Sequence, residues 1–195
     1  MIRKIMLAVT AILLSGPAVM MGQMGTTSGG PALGSQVAPS KSADALLRIF
    51  EGECMGVVKA MPAEKYGFSP ASLNIPGSKF DGVRTFAEQV KHLAGANFYF
   101  ASVVAGGKPE MDDKTIGAMK TKDEIVGALA NSFAALHKAN ATLTVQNSFE
   151  VVDFEGQKAT RSMAAAFAVA HGFDHYGQMV EYLRMNGLTP PASAK

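Results

Sequence analysis

The chain has 195 residues, 48% of them hydrophobic and 17% charged; that length suits one domain around one core, and that hydrophobicity excludes a disordered chain. The formal net charge is +2, but Arg3 and Lys4 are the only charged side chains in residues 1–40. The rest is neutral, with no Lys/Arg cluster to neutralise a phosphate backbone, so nucleic acid is excluded as a partner.

Residues 1–4 are basic at Arg3 and Lys4. Residues 5–14 (IMLAVTAILL) are apolar, and Ser15-Gly16-Pro17 breaks the run. This order is that of a secretory signal peptide, and the run is shorter than the about 20 apolar residues of a membrane span. We expect a signal peptide over residues 1–23, with cleavage near Ala18 or Gly22, and no stable membrane span afterwards. The expected location is periplasmic or secreted. Residues 24–41, rich in Gly, Ser, Thr and Pro, read as a flexible linker, and residues 42–195 as the folded domain.

The first predicted helix covers residues 42–61, with Leu46, Leu47, Phe50, Met55 and Val58 at helical spacing and Pro62 as its stop. It contains the sole cysteine, Cys54, so no intrachain disulfide can form. Its apolar setting marks it as a small buried hydrophobe rather than a nucleophile. Residues 66–84 carry Gly67, Pro70, Pro76, Gly77 and Gly82, which predicts a long connection. Thr85 and Glu88 form a capping box, opening a second helix whose stripe is Phe86, Val90, Leu93, Asn97, Phe100 and Val104. It ends at Gly106-Gly107. His92 lies at the margin of the stripe.

Thr121 and Glu124 repeat the capping box before a third helix with Ile125, Leu129, Phe133, Leu136 and Leu143 inward. Residues 144–160 are polar, and the extended-looking 149–154 (FEVVDF) would be a lone strand with nothing to pair, so they read as loop. The fourth helix covers residues 162–186, stopped by Gly187 and Pro190-Pro191. The predicted fold class is all-α, a four-helix bundle. The connections before the second and fourth helices are roughly 15 to 20 residues, longer than bundle hairpins use, which predicts crossover topology with parallel pairs.

His171 and His175 are four residues apart, hence on one face of the fourth helix, in a stripe with Ala164, Phe167, Ala168 and Gln178. Inward-facing imidazoles need hydrogen bonds or a metal. His92 is the best third ligand. His137, beside Lys138, reads instead as a solvated partner of its helix's negative end. Three imidazoles leave a coordination position open, as catalytic zinc sites do, where water would be acidified to a pKa of about 7 or a thiolate bound. Nitrogen ligands favour zinc, then nickel or iron, over magnesium and calcium. Asp174 and Gln178 are candidates to orient a ligand ring through its other nitrogen.

His171-x-x-x-His175-Tyr176-Gly177-Gln178, followed by Tyr182-Leu183-Arg184-Met185-Asn186-Gly187 and Pro190-Pro191-Ala192-Ser193, resembles the ending of DinB-like (DinB/YfiT-like) proteins. Residues 63–70 (AEKYGFSP) and 86–94 (FAEQVKHLA) are similar to segments following and forming their first and second helices. The resemblance implies a four-helix bundle holding a divalent metal by one histidine of the second helix and two of the fourth, here His92, His171 and His175. It also implies a homodimer, and for some relatives chemistry on a small thiol such as mycothiol or bacillithiol. Between the two last histidines this chain carries Gly172-Phe173-Asp174, where many relatives have charged or polar residues. Three functional readings follow. The first is an exported metal-dependent enzyme, hydrolase or thiol-dependent transferase, acting on a small molecule. The others are a non-catalytic metal- or small-molecule-binding bundle, and a bundle whose histidines are satisfied core groups.

Overall fold

A computed structural model describes residues 30–194. The expected signal peptide, and the linker up to residue 29, lie outside the described residues. The described residues fall into two units, one ending at Ser35 and the other beginning at Gln36. The described part of the first contains a turn closed by the Ser35 amide donating to the Ala32 carbonyl at 3.0 Å. All that follows concerns the second.

The elements in chain order are α1 (Pro39–Ala60), α2 (Phe86–Ala105), α3 (Asp113–Ala118), α4 (Lys122–Asn140), β1 (Val151–Phe154), β2 (Gln157–Thr160) and α5 (Arg161–Met185). The four long helices are those the periodicity predicts. α1 begins three residues before the expected Ser42, because Pro39 at its first position has a helical φ and no amide to leave unsatisfied. Its inner face is Leu47, Phe50, Cys54, Val57 and Val58, while Leu46, expected inside, is exposed. Cys54 is fully buried and burial pushes its thiol pKa up to about 12, which keeps it protonated and unreactive.

Both capping boxes form. Thr85 Oγ1 accepts from the Glu88 amide at 3.3 Å while Glu88 returns to the Thr85 amide at 2.7 Å; Thr121 and Glu124 do the same at 3.2 and 2.9 Å. Two further α2 amides, of Phe86 and Ala87, donate to the Phe68 and Tyr66 carbonyls at 2.8 Å. The connection before α2 thus satisfies donors that a helix start leaves open.

Contacts fix the topology. Phe50 of α1 packs on Gly172 and Phe173 of α5, and Gly56, further along α1, faces Pro191 just past the end of α5, so these two helices run parallel. Lys122 at the start of α4 donates to the Lys59 and Met61 carbonyls at the end of α1, while His137 near the end of α4 meets Asp44 near the start of α1, so they are antiparallel. Gln89 meets Gln178 and Phe100 meets Phe167, so α2 and α5 are antiparallel. α2 and α4 are therefore parallel, joined across their shared face by Asn97 donating to Ser132 Oγ at 3.1 Å. The order around the bundle is α1, α4, α2, α5. Crossover topology is as expected, but the segment that returns the chain to make the α2/α4 pair is residues 106–121, between the second and third predicted helices.

Two elements correct the sequence reading. Residues 113–118 form α3, capped by Asp112 accepting from the Thr115 amide at 2.7 Å and closed by Lys91 Nζ donating to the Gly117 and Met119 carbonyls. Residues 151–160, expected as loop, form an antiparallel hairpin with Val151 opposite Thr160 and Phe154 opposite Gln157. The missing partner strand was the polar QKAT, immediately downstream. The turn is Glu155-Gly156, both at positive φ (53° and 77°), the geometry of two-residue hairpins. No helix among the described residues is long and apolar enough to cross a membrane.

Candidate metal centre and its cleft

His92 sits mid-way along α2, and His171 and His175 lie one turn apart on α5, the helix packed antiparallel to it. The three rings meet edge to face, with centroid separations of 4.5 Å for His171–His175, 4.7 Å for His92–His175 and 5.3 Å for His92–His171. One ligand nitrogen from each lies within 4.8 Å of the others. His92 and His171 are half-buried and His175 is buried. Gly172 brings α1 close behind the pair, since a Cβ there would collide with the Phe50 ring.

Burial lowers the pKa of all three imidazoles. His175 falls furthest, to about 4, through burial and then the charges of His171 and His92. For His92 the charges of Arg84 and His171 reinforce burial and Asp113 opposes it; for His171 burial outweighs the carboxylates of Asp174 and Glu155. The rings are neutral at neutral pH, each with a lone pair to give.

His175 Nδ1 donates to Gln89 Oε1 at 2.8 Å, Gln89 Nε2 donates to Gln178 Oε1 at 2.6 Å, and Gln178 Nε2 donates to Asp174 Oδ2 at 3.2 Å. Asp174 and Gln178, expected beside a ligand imidazole, stand three and two hydrogen bonds away from it. The residue that touches the ring is Gln89. It lies one turn before His92 on α2 and is buried, and a glutamine facing inward three residues from a candidate ligand was the signal available in the sequence. His171 Nε2 and His175 Nε2 are buried and have no hydrogen-bond partner among the described residues. Buried polar atoms are nearly always partnered, and imidazole nitrogens left bare toward a common point are what a divalent ion would satisfy.

The cluster opens on a cleft of about 830 Å³ whose wall includes His92, His171, Tyr99, Phe100 and Phe167. Its far lips are α3, through Asp113 and Ile116, and the hairpin turn, through Glu155. Gly95, one turn from His92, leaves the room that the Asp113 carboxylate occupies over α2. His137 is remote from this centre. It is not solvated as expected but held between Asp44 (2.5 Å to Nδ1) and Glu51 (2.9 Å to Nε2) of α1.

The same fold is found in solved structures. The fold matches the crystal structure of a DinB-like protein from Bacillus cereus with a TM-score of 0.63 and 18% identity, over 77% of this chain and 95% of that one. It matches a DinB-like protein from Bacillus subtilis with a TM-score of 0.59 and 18% identity, over 76% of this chain and 93% of that one. No curated protein matches the sequence. The family model of the DinB superfamily matches residues 47–179, a span holding all three histidines and Gln89. By that match, over most of its folded part, the chain belongs to the DinB superfamily.

Proposed function

We propose that His92, His171 and His175 hold one divalent ion, zinc in the first place and nickel or iron after it, and that the protein is an exported metal-dependent enzyme acting on a small molecule. The observation that carries the reading is the pair of buried, unpartnered Nε2 atoms of His171 and His175 beside a third half-buried imidazole. When bound, such an ion supplies Lewis-acid activation of water or a thiol in the cleft. The chain's own residues do the rest. Gln89 holds the His175 ring in one tautomer, burial keeps the imidazoles unprotonated, and the aromatic wall limits water on one side of the centre. The basic and apolar pattern of residues 1–14 supports export, which separates the protein from cytosolic thiols and favours hydrolase over thiol-dependent transferase. The resemblance to DinB-like proteins supports a homodimer.

A non-catalytic metal- or small-molecule-binding bundle is the second reading, and one observation favours it. Among the described residues no carboxylate hydrogen-bonds to the three rings, and the side chain that does is the uncharged Gln89. Elemental analysis after dialysis tests the metal: wild type and His137→Ala retain about one ion per chain, and His92→Ala, His171→Ala and His175→Ala lose it. Metal-dependent turnover in a screen of model esters then separates enzyme from binder.

A further inference from the structure

Phe167 is 39% exposed although it lines the cleft, yet its ring is held by three aromatic neighbours. It lies nearly parallel to the His171 ring (centroids 6.0 Å, 21°) and edge-on to Phe100 (5.7 Å) and Phe154 (5.4 Å), which are themselves stacked at 6°. Phe154 is the one buried residue of the hairpin. The hairpin is in turn pinned at its tip, where the Glu155 amide donates to the Tyr99 hydroxyl at 2.7 Å. Glu155 takes a left-handed conformation to make that turn, which is disfavoured for a residue with a Cβ. An element with almost no core of its own is thus fastened behind one aromatic ring, and that ring is left bare toward the cleft beside the histidines.

A cleft of about 830 Å³ is of the size that takes a small molecule, and such sites are mostly apolar with a few polar groups that fix orientation. Here the imidazoles stand at one end, the apolar surface of Phe167 and Tyr99 flanks them, and the charged groups of Asp113 and Glu155 lie at the lips. We propose that the cleft receives a small molecule with a planar apolar body and a metal-seeking head, the body lying on Phe167 and the head reaching the three histidines. The head rests on the metal reading above; the seat for the body does not. Lys91, which also lines the cleft, has its ammonium engaged with two carbonyls at the end of α3 and so does not compete for the head.

The test uses the full chain loaded with zinc, titrated with benzohydroxamic acid and acetohydroxamic acid, which share a metal-binding head and differ in the ring. Benzohydroxamate should bind at least about tenfold more tightly, and Phe167→Ala should bring the two to within about twofold of each other. The two acids are compared at equal zinc occupancy in wild type and variant, so that loss of the seat is distinguished from loss of the ion. Equal affinity for the two acids in wild type, or an undiminished preference in Phe167→Ala, overturns the proposal. A second arm needs no metal: benzyl alcohol, and not ethanol, should shift the Phe167 and Tyr99 ring resonances of the metal-free protein. If the chain retains no zinc while those shifts appear, the metal reading fails and the apolar seat stands; if the shifts are absent, the seat is overturned whatever the zinc content.

Discussion

His175 donates from Nδ1 to Gln89 Oε1 at 2.8 Å, and this bond decides which nitrogen of the ring is free. The Asp174 carboxylate can only accept, so Gln178 turns its NH2 toward it and its oxygen toward Gln89. Gln89 must then offer NH2 to Gln178 and its own oxygen to the imidazole. The neutral ring therefore carries its proton on Nδ1 and its lone pair on Nε2, the buried atom that has no other partner.

Replacing Gln89 by leucine removes the acceptor while keeping the volume near that of the native side chain. Zinc affinity, measured by competition with a chromogenic chelator, should fall by about 10- to 100-fold. Gln89→Glu keeps an acceptor on Nδ1–H and should bind zinc at least as tightly as wild type. Unchanged affinity in Gln89→Leu would show that the ring is oriented by packing alone.

Metal should also stabilise the fold, because an ion gripped by α2 and α5 together cannot be held the same way by the unfolded chain. Zinc at about 100 times its dissociation constant should add about 2.7 kcal/mol. In thermal melts, zinc should raise the Tm of wild type, a chelator should reverse the gain, and His175→Ala should show no gain. An equal rise in that variant would place the stabilising ion elsewhere.

His137 predicts a pH dependence independent of the metal. Burial works against its charge, but the hydrogen bonds and charges of Glu51 and Asp44 outweigh it, so its pKa is raised above the ordinary 6.5. Asp44 is the complement: burial raises it, and the His137 and Arg48 partners more than reverse that, leaving it lowered. A raised imidazole pKa in the folded state means that the clamp between α1 and α4 is fully present below the unfolded value. The contribution is lost as pH rises through the folded value. The Tm difference between wild type and His137→Gln should be largest near pH 5 and shrink toward about pH 9. A difference that is flat across that range would rule out the ionic clamp.

Gly172→Ala should be destabilising although alanine is the better helix former by about 1 kcal/mol. The added methyl would enter the Phe50 ring, and overpacking of this kind typically costs about 1 to 3 kcal/mol. Denaturant unfolding should show a lower midpoint, and Phe50→Leu in the same chain should recover part of the loss. A midpoint at or above wild type would mean that α1 is free to move away from α5.

The four long helices were readable because each carries its own signals: Thr85 and Thr121 at helix starts, Gly187 at an end, and apolar residues every three or four positions between. Local hydrogen bonding and one-sided burial act within a few residues, so the chain itself spells them out. The short elements behaved differently. α3 buries only Ile116, and the hairpin only Phe154, so neither has enough apolar periodicity to announce itself. The strand VVDF looked unpairable because its partner QKAT is polar and its turn is Glu-Gly rather than Asn-Gly.

Two of the three histidines were linked by their spacing on one helix, and the third by its place on a helix stripe and by family resemblance. What the amino-acid order determined unaided was therefore the helices, their ends and which residues could turn an imidazole inward. Folding decided that α2 and α5 pack antiparallel, setting His92 beside His175 and Gln89 between His175 and Gln178. It decided too that α3 and the hairpin form the lips of a cleft. Those relations join residues up to 89 positions apart, and no local preference reaches that far; only burial of several helix faces in one core brings them together.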